Sequence, residues 1–231
     1  MNTTAVRTSD LTARARRFDL IVFDWDGTLF DSTGLITRCI QQAVRDVGGV
    51  MPSDVDAAYV IGMGLMDALA HAAPDVPREK YGELSARYRH HYLARQDDLV
   101  LFAGITDMLH ALKSRQHLLA VATGKSRRGL DDVLQSRELA GLFHDTRTAD
   151  ETRSKPHPQM LHELMASLGV SPARTLMIGD TTHDLQMAQA AGCASLGVAY
   201  GAHPHESFEA HRPLYVAHSV SDLSDWLSRH G

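Results

Sequence analysis

The sequence predicts an α/β protein, a doubly wound and mostly parallel sheet interrupted by an α-helical insertion. Short apolar runs recur along the chain, each ending abruptly at a polar or glycine-bearing step. Helical patterns separate most of these runs, whereas residues 32–101 contain no convincing strand. Strands alternating with helices imply a parallel sheet covered on both faces.

The first run, Leu20-Ile21-Val22-Phe23, stops at Asp24-Trp25-Asp26-Gly27. A wholly apolar run of this length fits a strand buried on both faces. Leu118 to Ala122 repeats the figure and ends in Thr123-Gly124; Thr175 to Ile178 ends in Gly179-Asp180; Ala194 to Ala199 ends near Tyr200-Gly201. Ile105, Met108, Leu109 and Leu112 share a helical face ahead of the second run. Met160, Leu161, Leu164, Met165 and Leu168 form another face, with Gly169 as its stop; Leu185, Ala188 and Ala191 follow, stopped by Gly192. Right-handed crossovers bring the carboxyl ends of such strands to one edge, where open α/β sheets bind ligands. That edge collects Asp24, Asp26, Thr123 and Asp180.

The insertion reads as helices. Leu35, Ile36, Cys39, Ile40, Ala43, Val44 and Val47 make a stripe closed by Gly48-Gly49; Val60 to Ala73 and Tyr81 to Ala94 read as two more helices. Its place over the acid-bearing edge makes it a candidate lid. Residues 1–17 are polar and read as a mobile or loosely helical leader, with no apolar run suited to a signal peptide.

Composition sets outer bounds. With 44% hydrophobic and 22% charged residues the chain is ordinary globular material. A net charge of −5 argues against a general nucleic-acid binder and favours a small-molecule ligand. No stretch approaches the roughly twenty apolar residues of a membrane helix, so the expected compartment is the cytoplasm. Cys39 and Cys193 have no metal-ligand spacing and read as reduced small hydrophobes. The pairs His90-His91 and His203-Pro204-His205 complete no ligand set and are expected on the solvent face.

Two carboxylates two residues apart on a strand-end turn, Asp24 and Asp26, can divide the labour of phosphoryl transfer. Taken alone, Asp26-Gly27 is also an ordinary turn. Thr123 with the Gly124 amide suits phosphate oxygens, or Ser126 caps a helix there. Gly124-Lys125-Ser126 imitates the end of a phosphate-binding P-loop, but Leu119 stands where that loop needs its first glycine. Asp184 falls in a first helical turn, where an acid also suits the helix terminus.

Asp24-Trp25-Asp26-Gly27-Thr28, Thr123-Gly124-Lys125, Lys155-Pro156 and Gly179-Asp180 through Asp184 resemble, in identity and order, the motifs of haloacid dehalogenase superfamily phosphatases. The insertion sits where the phosphoglycolate-phosphatase-like subfamily carries a helical cap. The resemblance implies a Rossmann-like catalytic core over residues 1–31 and 102–231 and a substrate-selecting cap over 32–101. It implies Asp24 as nucleophile and Asp26 as the group that protonates the leaving oxygen and later activates water. Thr123, Gly124 and Lys155 would bind phosphate, with Lys155 also neutralising the nucleophile. Asp24, the Asp26 backbone carbonyl and Asp180 would hold Mg2+, with Asp184 orienting the lysine and metal-bound waters. Lys125 receives no catalytic role from the resemblance.

The implied reaction is magnesium-dependent hydrolysis of a small phosphorylated metabolite. A phosphomutase resembling β-phosphoglucomutase shares the core chemistry and stays open as an alternative. A receiver domain is about half this length, and a phosphonatase wants a lysine in the lid, where only Lys80 stands. Within the lid, Gly62, Met63 and Gly64 fall where the family places a substrate-reading loop. Arg38 or Arg45, on the first lid helix, is a candidate for a substrate carboxylate, although a solvated face is the commoner explanation for such arginines. Asp31 and Ser32 are expected to cap the first lid helix.

Overall fold

A computed structural model describes residues 16–96, 99–135 and 138–231 of the chain. Most of the leader therefore lies outside the described residues. Six strands form one parallel sheet in the order β3-β2-β1-β4-β5-β6. They are β1 (Leu20–Phe23), β2 (Leu118–Thr123), β3 (Asp145–Thr148), β4 (Thr175–Gly179), β5 (Ala194–Val198) and β6 (Val216–Ala217). Four of them are the apolar runs. The edge strand β3, Asp-Thr-Arg-Thr, is polar and only partly buried, so no apolar run announces it. β6 contributes two residues at the opposite edge.

The sheet is covered on both faces, as its alternating side chains require. Ile21, Phe23, Leu119, Val121, Leu176 and Ile178 pack with Ile105, Met108, Leu109 and Leu112 of α5 (Ile105–Ser114), with Leu130 of α6 (Arg127–Leu134) and with Leu223 and Leu227 of α9 (Val220–His230). Leu20, Val22, Ala120, Ala122 and Met177 face the other way, onto α7 (Gln159–Leu168) and α8 (Thr182–Ala190). No helix among the described residues is long and apolar enough to cross a membrane.

Between β1 and β2 the chain builds α1 (Thr33–Asp46), α2 (Asp54–Tyr59), α3 (Leu65–Ala72) and α4 (Tyr81–Leu93). They have an apolar cluster of their own, including Ile40, Val44, Ala57, Leu69 and Leu84. The expected helix from Val60 is displaced: α3 begins at Leu65, and α2 precedes it. Gly62, at φ +90°, interrupts the helical path between them. The chain segments leading into and out of the insertion lie side by side, with the Asp31 amide donating to the Val100 carbonyl at 3.0 Å.

β1 is flanked by β2 and β4, so the strand order reverses between β1 and β4. The crevice outside that reversal is the usual binding place of doubly wound sheets. Asp24 follows one of these two strands, and Asp180 the other.

Candidate active site

Asp24 leaves β1 with its amide donating to the Ile178 carbonyl at 2.9 Å, which holds it against β4. The turn that follows needs Gly27, whose φ is +87°. A β-carbon there would lie 2.2 Å from Asp180 Oδ2, so a side chain has neither the conformation nor the space. Asp180 is held by the Thr28 hydroxyl, donating at 2.8 Å, and by the Ala202 amide, donating at 2.7 Å.

Asp24, Asp180 and Asp184 are all fully buried, and each offers an oxygen within 4.8 Å of the others. Lys155 enters this cluster from the loop after β3. Its ammonium is 2.6 Å from Asp24 Oδ1 and 2.7 Å from Asp184 Oδ1. These contacts are ion pairs by distance, yet their angles leave both Asp24 oxygens without an aligned hydrogen bond. Asp184 does two things at once. Its Oδ2 accepts from the Thr181 hydroxyl at 2.7 Å and the Thr181 amide at 3.2 Å, capping α8, while Oδ1 faces the lysine.

Burial pushes the Asp24 carboxyl well above the ordinary aspartate range; Lys155 pulls it down, and Asp184 and Asp180 push it further up. Asp180 is raised to about 7 by burial, with Asp184 adding to the rise against the Ala202 and Thr28 hydrogen bonds. Burial alone would lower Lys155, but Asp184 and Asp24 outweigh it and hold it above the usual lysine value. Three carboxylates against one ammonium leave two formal negative charges when all are ionised. A divalent cation with a taste for hard oxygen ligands fits that deficit and the orphaned Asp24 oxygens.

Asp26 stands apart from this cluster. The Ser32 hydroxyl donates to its Oδ1 at 2.7 Å, and Lys125 Nζ lies 3.2 and 3.3 Å from its two oxygens. Ser32 thus occupies the position before α1 without capping it, because its hydroxyl is turned to Asp26. The resemblance gives Lys125 no catalytic role, yet its place beside Thr123-Gly124 at a strand end brings its ammonium to Asp26. Thr123 is buried and its hydroxyl oxygen accepts from the Lys125 amide at 3.2 Å, while Ser126 caps α6 by accepting from the Gly129 amide.

The loop between α2 and α3 lies directly on this edge. A β-carbon on Gly124 would be 2.4 Å from the Met63 carbonyl oxygen and 2.7 Å from that of Gly62, so only glycine lets the two backbones meet. A β-carbon on Gly62 would stand 4.0 Å from Asp24 Oδ2. Gly64 approaches Ser154, whose hydroxyl donates to Asp67 at 2.9 Å. Beside this contact a hollow of about 610 Å3 opens between Met63 and Asp67 on one side and residues 153–158 on the other.

Two of these histidines depart from the expected solvent face: His91 is half-buried with its Nε2 2.8 Å from Asp46 Oδ2, and His203 goes further. His203 is buried, not solvent-exposed: its Nδ1 accepts from the Thr182 amide at 3.1 Å, and its Nε2 meets the Tyr59 carbonyl at 2.9 Å. Tyr59 stacks on its ring, which satisfies the imidazole away from water. His205 and His90 are exposed as expected. Of the two arginines, Arg45 turns to the Met51 sulfur, and Arg38 lines a separate hollow with Asp31, Leu35 and Arg95.

The profile of the haloacid dehalogenase-like hydrolases matches residues 21–198, most of the chain. The chain belongs to that family. Among its relatives, a protein named probable phosphatase IndB of Dickeya dadantii is 34% identical over 212 residues, covering 88% of this chain and 91% of the relative. A phosphoglycolate phosphatase of Vibrio vulnificus is 33% identical over 216 residues, covering 89% and 94%. A crystal structure of a predicted phosphoglycolate phosphatase from Haemophilus somnus superposes with a TM-score of 0.79 at 26% identity, covering 90% of this chain and 97% of that one. This hydrolase is accordingly an enzyme of phosphatase type.

Proposed function

We propose that this hydrolase is a magnesium-dependent phosphatase acting on a small phosphate monoester, with phosphoglycolate as the first candidate, through an aspartyl-phosphate on Asp24. The observation that carries the reading is the buried Lys155 ammonium held between Asp24 and Asp184. A compact cation at that point can neutralise both a carboxylate nucleophile and an incoming phosphate oxygen. Lys155 meets Asp24 Oδ1, and Oδ2 has no donor partner, which leaves the carboxylate an oxygen with which to attack phosphorus.

Asp24 and Asp180, with the Asp26 backbone carbonyl, would hold Mg2+, and Asp184 would orient Lys155. Bound there, the metal supplies charge that offsets the repulsion between carboxylate and phosphate. Thr123 and the Gly124 amide would bind phosphate oxygens beside Lys155. Asp26, on the adjacent turn, gives its proton to the leaving alkoxide as the ester bond breaks. The resulting carboxylate then takes a proton from the water that attacks the aspartyl-phosphate, restoring Asp24 and releasing phosphate. The helical insertion, residues 32–101, acts as the cap, and its loop at Gly62, Met63 and Gly64 reads the substrate while excluding bulk water.

The test is to incubate the protein with phosphoglycolate and magnesium, quench in acid, and look for phosphate on the peptide carrying Asp24. The adduct is expected in the wild type and absent from Asp24→Asn. Turnover in excess chelator, or turnover by Asp24→Asn close to wild type, would overturn the reading.

A further inference from the structure

Lys125 joins three parts of the molecule that are distant in sequence. Its backbone is fixed to the core: the amide donates to the Thr123 hydroxyl oxygen at 3.2 Å, and the carbonyl accepts from the Ala149 amide at 3.1 Å. Its ammonium reaches both Asp26 oxygens and also donates to the Tyr92 hydroxyl at 2.8 Å. Tyr92 lies at the end of α4, in the insertion, and Tyr88 stacks on it with ring centroids 6.0 Å apart. The Lys125 side chain is 10% exposed and that of Asp26 11%. Ser32, immediately before α1, also donates to Asp26 Oδ1.

We propose that Lys125 is a positioning residue that ties the Asp26 carboxyl group to Tyr92, so that Asp26 is aimed correctly only while α4 lies against the core. The inference rests on the acid/base role given to Asp26 above. Lys125 acts through Asp26, since the cation facing Asp24 is Lys155. An ordinary buried ion pair would serve the fold, with no preference between substrates. An aiming device has a narrower signature. Its loss harms the step in which Asp26 must meet the leaving oxygen, and that step matters most when the leaving alkoxide is basic. Lys125 and Tyr92 should also behave as one unit, because the Tyr92 hydroxyl reaches Asp26 only by way of the ammonium.

Single-turnover phosphoryl transfer with magnesium should be measured from phosphoglycolate and from p-nitrophenyl phosphate, using Lys125→Met, Tyr92→Phe, the double variant and Lys125→Arg. Lys125→Met should slow transfer from phosphoglycolate about thirtyfold and from the aryl ester less than about threefold. Tyr92→Phe should slow the alkyl ester about threefold, add nothing in the Lys125→Met background, and Lys125→Arg should recover part of the loss. Amide hydrogen exchange is the arm independent of turnover: Lys125→Met should speed exchange in residues 26–32 and 88–94 together. Equal slowing of both esters, additive effects, or unchanged exchange in either segment would overturn the tie. A wild-type protein inactive on both esters would instead sink the phosphatase substrate reading, with the exchange arm still deciding for or against the tie.

Discussion

At the amino edge of the sheet, just before β1, Arg174 donates to both oxygens of Asp19 at 2.7 and 2.9 Å, and the His117 ring meets the Phe18 carbonyl at 3.0 Å. At the carboxyl edge of the same strand, Asp24 is fully buried with two more aspartates beside it and no aligned donor on either oxygen. Charge at the first edge is half-exposed and paired, where it contributes modestly to stability. Charge at the second edge is buried and only partly compensated, which costs stability. A sheet does not need such a cluster in order to fold. On the proposed reading, the contrast separates residues kept for the fold from residues kept for chemistry, and it can be broken by experiment.

The largest expected effect is at Asp24. Asp24→Asn should lower phosphatase activity by at least ~10³-fold, as loss of a nucleophile does. Its metal-free melting temperature should be no lower than that of the wild type, because the substitution removes a buried charge from a cluster of like charges. A clear loss of metal-free stability, read by calorimetry, would make Asp24 a structural residue and erase the contrast.

Next comes Asp26, where satisfied hydrogen bonds replace the orphaned oxygens of Asp24. Asp26→Asn should slow transfer from an alkyl phosphate about a hundredfold, and from p-nitrophenyl phosphate much less, since nitrophenolate departs with little protonation. Phosphoenzyme should accumulate as well, because water activation is lost. Equal slowing of both esters with no accumulation would reduce Asp26 to a structural partner of Ser32 and Lys125.

The carboxyl edge was largely legible in the sequence, and the reason is physical. Strands buried on both faces must be apolar throughout, so β1, β2, β4 and β5 appear as runs whose ends mark the site. The polar strand β3 obeys no such rule, because an edge strand is wetted on one side. The helix α9 carries a legible stripe, with Val220, Leu223, Trp226 and Leu227 recurring at helical spacing. What the Lys125, Ser32 and His203 side chains touch was not legible. Lys125 and His203 meet Tyr92 and Tyr59 of the insertion, which no local spacing encodes, and Ser32 turns to Asp26 six residues earlier rather than capping its own helix.

Magnesium tests the electrostatic deficit directly. At a hundredfold excess over its dissociation constant, a ligand of the folded state adds about 2.7 kcal/mol, or about 5–10 °C in Tm for a chain of this size. Addition of magnesium to chelator-treated protein should produce that rise, and Asp180→Ala should largely abolish it. A wild-type Tm indifferent to magnesium would mean that Lys155 alone compensates the cluster.

The smallest effect belongs to the amino edge and concerns pH. Burial lowers the His117 pKa, and Arg115 and Arg16 lower it further, against the opposing Phe18 carbonyl bond and Asp19. The ring is therefore neutral in the fold at a pH where the unfolded chain, with an ordinary value near 6.5, already binds a proton. Stability rises with pH wherever the unfolded state binds more protons. The contribution of His117 is accordingly complete above about pH 6.5 and lost as pH falls through its folded value, at up to about 1.4 kcal/mol for each unit of depression. His183 and His203 are depressed by burial too, so the wild-type slope alone does not isolate this residue. His117→Gln keeps a donor for the Phe18 carbonyl and removes the titration. Its Tm should fall less than that of the wild type between pH 7 and about pH 5, while turnover at pH 7 stays unchanged. Parallel Tm profiles would mean that His117 gains its proton as readily folded as unfolded. A loss of turnover would show that the two edges of the sheet are coupled rather than divided.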